Sequence, residues 1–308
     1  MSRNTLKVFY STLDLAIGLW PTPLVKLSSL SDKGKEVWAK LEFFNPYSRS
    51  IKDRPAWNMI IKAWKKGLLK KKLYEATSGN VGISMACLAN ILRLKFRAYL
   101  PAPTPESTIT LLKLLRAEVV VTKHSSIDRD MIMYVSKLAE GEGAVNLNQF
   151  ENDDNFEAHF NYTARELEEQ LEAVNRTPPR GIFAGIGTSG HIAAISKYFK
   201  SKYGDSTKIY GVVPAKGNSI PGIKKSETKP KWLSEVKVDK IEEISLEEAI
   251  EGCIHIARHE GLLIGLSSGA VTAAFSKLRR NLSPGVYVLI YPDDAFKYIS
   301  YFKKYLCR

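Results

Sequence analysis

Short apolar runs alternate with stretches of helical periodicity almost throughout the chain. Runs rich in Val, Ile, Leu and Tyr predict strands over residues 36–42, 73–76, 95–100, 118–121, 144–147, 181–184, 208–213, 262–265 and 286–290. The 3.6-residue pattern between them predicts helices over residues 54–66, 81–92, 107–115, 127–140, 156–174, 192–203, 246–260 and 270–281. Strands with no polar alternation, each followed by a helix, are the mark of parallel sheets covered on both faces, an α/β architecture. Residues 214–240, with Pro214, Gly217, Pro221, Gly222 and Pro230, read as a long loop of the kind that often carries function. An acidic polar stretch over 149–155 marks a domain boundary.

Composition narrows the classes. A chain of 308 residues with 44% hydrophobic and 25% charged positions is long enough for two cored domains and is neither disordered nor fibrous. The longest apolar stretch, residues 81–92, is broken by Gly82, Ser84 and Asn90, so no membrane span is expected. Residues 1–10 lack the composition of a signal peptide, and the three cysteines, Cys87, Cys253 and Cys307, form no C-x-x-C pair; both point to the cytoplasm. The formal charge of +13 admits nucleic acid or small anions as partners. No nucleic-acid motif accompanies it, and the densest cluster, Lys65 to Lys72, falls at a predicted helix end where cations complement the dipole.

Three glycine-rich turns join strand to helix. Gly185-Ile186-Gly187-Thr188-Ser189-Gly190 fits G-x-G-x-x-G, but the following strand ends Val213-Pro214-Ala215-Lys216 without the carboxylate a dinucleotide site requires. A phosphate cradle remains, with the Thr188 and Ser189 hydroxyls as extra donors. Thr77-Ser78-Gly79-Asn80-Val81-Gly82 repeats the design, and two such turns suggest a ligand with two anionic ends. Gly265-Leu266-Ser267-Ser268-Gly269 matches the nucleophile elbow, yet all five histidines (His124, His159, His191, His255, His259) precede Ser267, the wrong order for a hydrolase triad. His255 and His259 lack the intervening glutamate of a zinc helix and read as a helix-surface pair; no metal is expected.

The remaining segment is Asn45-Pro46-Tyr47-Ser48-Arg49-Ser50-Ile51-Lys52-Asp53-Arg54. Ser50 and Asp53 resemble a capping box, which places Lys52 at the mouth of a helix. The positive end of the dipole favours the neutral amine that Schiff-base chemistry needs. Pro55 is tolerable there only in a first helical turn.

Taken in order, N-P-x-x-S-x-K-D-R, T-S-G-N-x-G, G-x-G-T-S-G and S-S-G-A resemble the fold-type II pyridoxal-phosphate enzymes, and among them the cysteine synthases, including the O-phosphoserine sulfhydrylases. The likeness runs from Pro21-Thr22-Pro23-Leu24 to Tyr291-Pro292-Asp293-Asp294. It implies two three-layer α/β domains with mostly parallel sheets, akin to the tryptophan synthase β subunit. Residues 40–148 would form the smaller domain, and residues 1–39 with 149–308 the larger. It implies a homodimer with pyridoxal 5′-phosphate in the cleft between domains.

In that family Lys52 would join the cofactor and move the Cα proton. Gly187, Thr188, Ser189 and Gly190 would hold its phosphate, while Asn80 would bond its 3′-oxygen and Ser267 would face the ring nitrogen. Thr77, Ser78, Gly79 and Gln149 would bind the substrate carboxylate. His191, where O-acetylserine enzymes commonly carry threonine, either touches the phosphate or lies on the helix surface; Val81 likewise replaces a threonine. A neutral serine should leave the ring nitrogen unprotonated and favour loss of a β-substituent, through α-aminoacrylate, over transamination. The implied reaction makes L-cysteine from an activated serine and sulfide. Lys224 and Lys225 in Pro221-Gly222-Ile223-Lys224-Lys225 offer a site for the phosphate of O-phosphoserine, the favoured donor, with O-acetylserine as the other. Cystathionine β-synthase or serine/threonine dehydratase chemistry is the alternative reaction; a basic anion- or nucleic-acid-binding protein is the alternative outside enzymology.

Overall fold

A computed structural model describes residues 7–224 and 230–307. Its strands are β1 (Leu24–Lys26), β2 (Lys35–Leu41), β3 (Lys72–Ala76), β4 (Lys95–Leu100), β5 (Glu118–Val121), β6 (Val145–Asn146), β7 (Gly181–Gly185), β8 (Lys208–Pro214), β9 (Lys240–Ile244) and β10 (Gly285–Tyr291). They form two sheets. One has the order β5-β4-β3-β6 and is parallel throughout; the other has the order β1-β2-β10-β7-β8-β9 and is parallel except for β1 against β2.

Both faces of each sheet are covered, which explains strands without polar alternation. In β7, Ile182 and Ala184 pack with Ile192, Ile195 and Phe199 of helix Gly190–Tyr203. Phe183 points the other way, into Phe275 and Val271 of helix Leu266–Leu278. The smaller sheet repeats the arrangement. Leu73 and Ala98 pack under helices Asp53–Lys65 and Asn80–Ile91, while Tyr74 and Tyr99 meet Met131 and Val135 of helix Arg129–Gly141.

Four local expectations change. Residues 262–265 form no strand; Ile264 makes a single bridge to Asp294, and Gly265 N–H donates to the Asp293 carbonyl (2.9 Å). β1 and β9 were not legible: the first is three residues long, and the second, Lys240-Ile241-Glu242-Glu243-Ile244, is an edge strand with Lys240 and Glu243 exposed and Glu242 buried against Lys240. The helix expected over 156–174 is three pieces, Asp153–Ala158, a π-helical His159–Ala164, and Arg165–Ala173. The 214–240 loop contains a short turn of helix, Lys231–Glu235, anchored by buried Trp232, whose Nε1 donates to Asp153 (2.9 Å).

Candidate active site

The motif loops converge because most of them leave the carboxyl ends of parallel strands, where the backbone opens toward a ligand. β2 leads toward Lys52, β3 into Thr77-Ser78-Gly79-Asn80, β6 toward Gln149, β7 into the Gly187 loop, and β10 into Asp293.

Lys52 immediately precedes helix Asp53–Lys65. The expected capping box does not form. Ser50 Oγ accepts from the Lys52 N–H (3.1 Å), and the Asp53 carboxylate turns back to accept from Tyr47 N (2.7 Å), Ser48 N (2.9 Å) and the Ser84 hydroxyl. Asp53 therefore shapes the 45–50 turn rather than capping the helix. Pro55 sits in the first turn, where its missing N–H leaves no gap. Lys52 is half-buried; desolvation pushes its amine down to about 8, against the pull of Asp293 and Glu42. A lysine this easily neutralised is a nucleophile near neutral pH.

Beneath it lies a buried charge cluster. Arg54 clamps Glu42 (2.6 and 2.9 Å) and Glu166 (2.8 and 2.7 Å), and Lys40 binds Glu166 (3.1 Å) and the Thr22 carbonyl (2.7 Å). Two cations meet two anions, each hydrogen-bonded, the condition under which buried charge is tolerated. The cluster ties the start of helix Asp53–Lys65 to the Thr22 segment and to helix Arg165–Ala173.

The loop at Gly187 fits a phosphate. Ser189 is left-handed (φ 70°) immediately before helix Gly190–Tyr203, so free N–H groups and the helix dipole face one point. A side chain on Gly187 would come within 2.8 Å of the Gly222 carbonyl. The Ser189 hydroxyl and both ring nitrogens of His191 are buried and, among the described residues, have no hydrogen-bond partner. Buried polar atoms are ordinarily paired, so this cluster is built for a polar ligand. Of the two readings open for His191, helix surface is excluded: it is buried, its ring 5.8 Å from that of His159. Burial and the charge of Lys52 push it down to about 3, leaving a neutral imidazole that can donate one proton to an oxyanion.

The loop from Thr77 to Asn80 is pinned to this cradle. Gly79 has φ 149°, which favours glycine, and a Cβ there would press on Thr108 (3.2 Å). Thr77 Oγ1 accepts from Gly79 N (3.1 Å) and Gly82 N (3.0 Å), which leaves its own proton to donate. Ser78 is exposed. Gln149 Nε2 donates to the Ala76 carbonyl (2.9 Å); Asn155 Nδ2 donates to the Gln149 carbonyl (2.7 Å) and to Thr188 Oγ1 (3.2 Å). Asn80 Nδ2 donates to Asp293 (2.9 Å), and Ser267 Oγ lies 3.5 Å from the same carboxylate. Lys224 spans the two halves, donating to the Ile127 carbonyl (3.2 Å) with its ammonium 4.3 Å from the centre of the Phe150 ring. Lys225 lies outside the described residues.

Sequence reasoning missed Asp293, Asn155, His159 and Glu75. Glu75 carried a signal, a carboxylate inside an apolar strand. It is fully buried, pushed up to about 8 by desolvation, and accepts from Asn148 N (3.0 Å), Gln149 N (3.1 Å) and Asn146 Nδ2 (3.2 Å). Among the described residues no group of three His, Cys, Asp or Glu side chains has a metal-binding arrangement, and no helix is long and apolar enough to cross a membrane.

A β-strand scaffold that gathers a desolvated lysine and an anion cradle at one rim defines a pyridoxal-phosphate enzyme, and residues 15–293 match the family model "Pyridoxal-phosphate dependent enzyme". The chain is 34% identical over 298 residues to cysteine synthase B of Salmonella typhimurium, covering 94% of this chain and 95% of that one. It is 36% identical to a probable cysteine synthase of Bacillus subtilis, covering 96% and 97%. The solved structure of an O-acetylserine dependent cystathionine β-synthase from Helicobacter pylori superposes with a TM-score of 0.85 at 28% identity, over 95% of this chain and 98% of the other. The chain belongs to the pyridoxal-phosphate dependent enzymes, within their cysteine synthase branch.

Proposed function

We propose that this protein makes L-cysteine from an activated serine and sulfide, with O-phospho-L-serine as the favoured donor, acting as a cytoplasmic homodimer whose smaller domain spans residues 40–148. The observation that carries the reaction is the Lys52 amine, desolvated and set among the Asn80, Ser267 and His191 loops. Lys52 would bond the cofactor aldehyde; Gly187, Thr188, Ser189, Gly190 and His191 would hold its phosphate, Asn80 its 3′-oxygen and Ser267 its ring nitrogen. When bound, pyridoxal phosphate supplies an electron sink for a carbanion at Cα.

The chain's own groups do the rest. Thr77, with both lone-pair directions taken by backbone N–H groups, offers its hydroxyl proton to the substrate carboxylate, beside Ser78, Gly79 and Gln149. Lys52 takes the Cα proton and returns it. Between those events the Cβ–O bond breaks, phosphate departs, and sulfide forms the Cβ–S bond.

Lys224 supports the phosphorylated donor. Its ammonium lies against Phe150, next to Gln149, and desolvation pushes it down to about 8 while Asp128 draws it up. A phosphate dianion would restore the full charge. The double variant Lys224→Ala, Lys225→Ala should raise KM for O-phosphoserine by about 10–100-fold, the worth of a charge-assisted hydrogen bond. KM for O-acetylserine should move less than about twofold, since that donor makes no such bond. Equal changes would reject the phosphate site. The name of the Helicobacter relative favours a second reading, O-acetylserine as donor and homocysteine as nucleophile; turnover of both donors with both nucleophiles separates the two.

A further inference from the structure

Much of the positive charge of the chain gathers at one edge of the smaller sheet. Helices Asp53–Lys65, Asn80–Ile91 and Glu106–Leu114 run down to that edge and lead into β3, β4 and β5. Their three connections lie side by side. Lys95 N–H donates to the Lys71 carbonyl (2.8 Å), and Asn90 Nδ2 to the Leu115 carbonyl (2.8 Å). The first connection carries Lys65, Lys66, Lys70, Lys71 and Lys72, all exposed. The second adds Arg93 and Lys95, the third Lys113 and Arg116, exposed as well. Among the described residues none of these nine is in an ion pair. Glu118 and Glu142, which stand beside them, are both bound to Arg97 (2.8 and 3.0 Å).

Cations at a helix end answer the dipole, which accounts for Lys65, Lys66 and Lys113. The dipole does not account for lysines that lead into strands, and Lys72 and Lys95 are register partners, like charge beside like. Nor does it require arginine at 93 and 116. Both are left-handed (φ 58° and 59°), two residues past a helix, where glycine is favoured; after the first helix the same place is Gly67 (φ 67°). Trp64, in the last turn of helix Asp53–Lys65, is 55% exposed, and Leu68 is exposed beyond it.

We propose that this edge is a docking surface for single-stranded RNA, with phosphates along the three basic connections and a base stacked on Trp64. Flexible lysines track a backbone of repeating negative charge, and an aromatic face accepts any base. An acidic protein segment would answer the charge, but the indole offers a flat face that a base covers more fully than a flexible side chain does. The Thr77 loop leaves the opposite, carboxyl edge of the same sheet, so RNA bound here does not obstruct the candidate active site.

The test is titration of the holoenzyme against a fluorescent oligouridylate of about 20 nucleotides over a range of salt. Kd should fall at about 1–100 μM near physiological salt and weaken as salt rises. The triple variant Lys70→Glu, Lys71→Glu, Lys72→Glu should raise Kd at least about tenfold and flatten the log–log salt slope by about 2, at about 0.7 per phosphate contact. Trp64→Ala should weaken binding about 5–100-fold with the slope unchanged. A control with the same net charge, Lys33→Glu, Lys216→Glu, Lys303→Glu, should bind within about threefold of wild type, its reversals lying outside the edge. Should the triple reversal disturb the far-UV circular dichroism, glutamine at the same three positions gives the same reading. Kd weaker than about 1 mM, equal losses in the triple variant and the control, or no effect of Trp64→Ala overturns the proposal. Poly-L-glutamate that displaces the RNA at equal charge concentration would make the face a site for acidic protein and overturns it too.

Discussion

Replacing Lys52 by methionine should make the cofactor-free protein more stable, even as it removes the amine proposed to join the cofactor. The amine titrates near 8 in the folded chain, against 10.5 for an ordinary lysine. Below the folded value both states carry the proton, and the folded state bears the full penalty of a desolvated ammonium, about 3 kcal/mol at 1.36 kcal/mol per pKa unit. Between the two values the unfolded chain binds the proton and the folded one does not, so stability rises with pH and the penalty fades. At pH 7 Lys52→Met apoprotein should exceed wild type by about 2–3 kcal/mol, and at pH 9.5 by about 1–1.5 kcal/mol. Urea unfolding of both apoproteins at the two pH values measures the gap directly, and comparing variant with parent cancels every other titrating group. A variant no more stable than wild type at pH 7, or a gap that fails to narrow at pH 9.5, would refute the argument that burial depresses this amine.

Two further outcomes stem from buried charge. Arg54→Met leaves Glu42 and Glu166 with Lys40 as the remaining cation of the cluster and should cost about 3–5 kcal/mol, read as a large fall in Tm. Glu75→Gln puts an amide N–H₂ in place of a carboxyl oxygen that now accepts from backbone N–H groups; KM for the amino-acid donor should rise about 5–100-fold, for about 1–3 kcal/mol of lost positioning, while cofactor absorbance stays as in wild type. Loss of cofactor absorbance in that variant would place Glu75 with the cofactor rather than with the loop proposed to bind substrate.

Legibility along the sequence followed how local the cause was. The strands of the parallel sheets announce themselves because both faces are buried, and Gly187 or Gly79 can be found because a turn of that shape demands glycine. β9 was invisible since an edge strand with Lys240, Glu242 and Glu243 has the composition of a loop. The π segment at His159 packs against helix Gly190–Tyr203 and has no local sequence pattern that marks it. The capping box at Ser50 and Asp53 had the right letters, but Ser48 and Ser84 compete for Asp53 and win. Asp293 stands within the Tyr291-Pro292-Asp293-Asp294 motif, yet its place in the site is visible only when residues 80, 267 and 298 meet around it.

The run of contacts from Ala76 through Gln149 and Asn155 to Thr188 means that the two ends of the cleft do not relax independently. Thr188 held still by an anion would restrain Asn155, and Asn155 holds the main-chain carbonyl of Gln149, the residue proposed to meet the amino acid. Filling one end therefore prepares the other, and by thermodynamic reciprocity an amino acid seated first must slow the escape of the anion or tighten its capture by the same factor. Such coupling favours neither order of loading; it would tie the affinity for each ligand to the presence of the other.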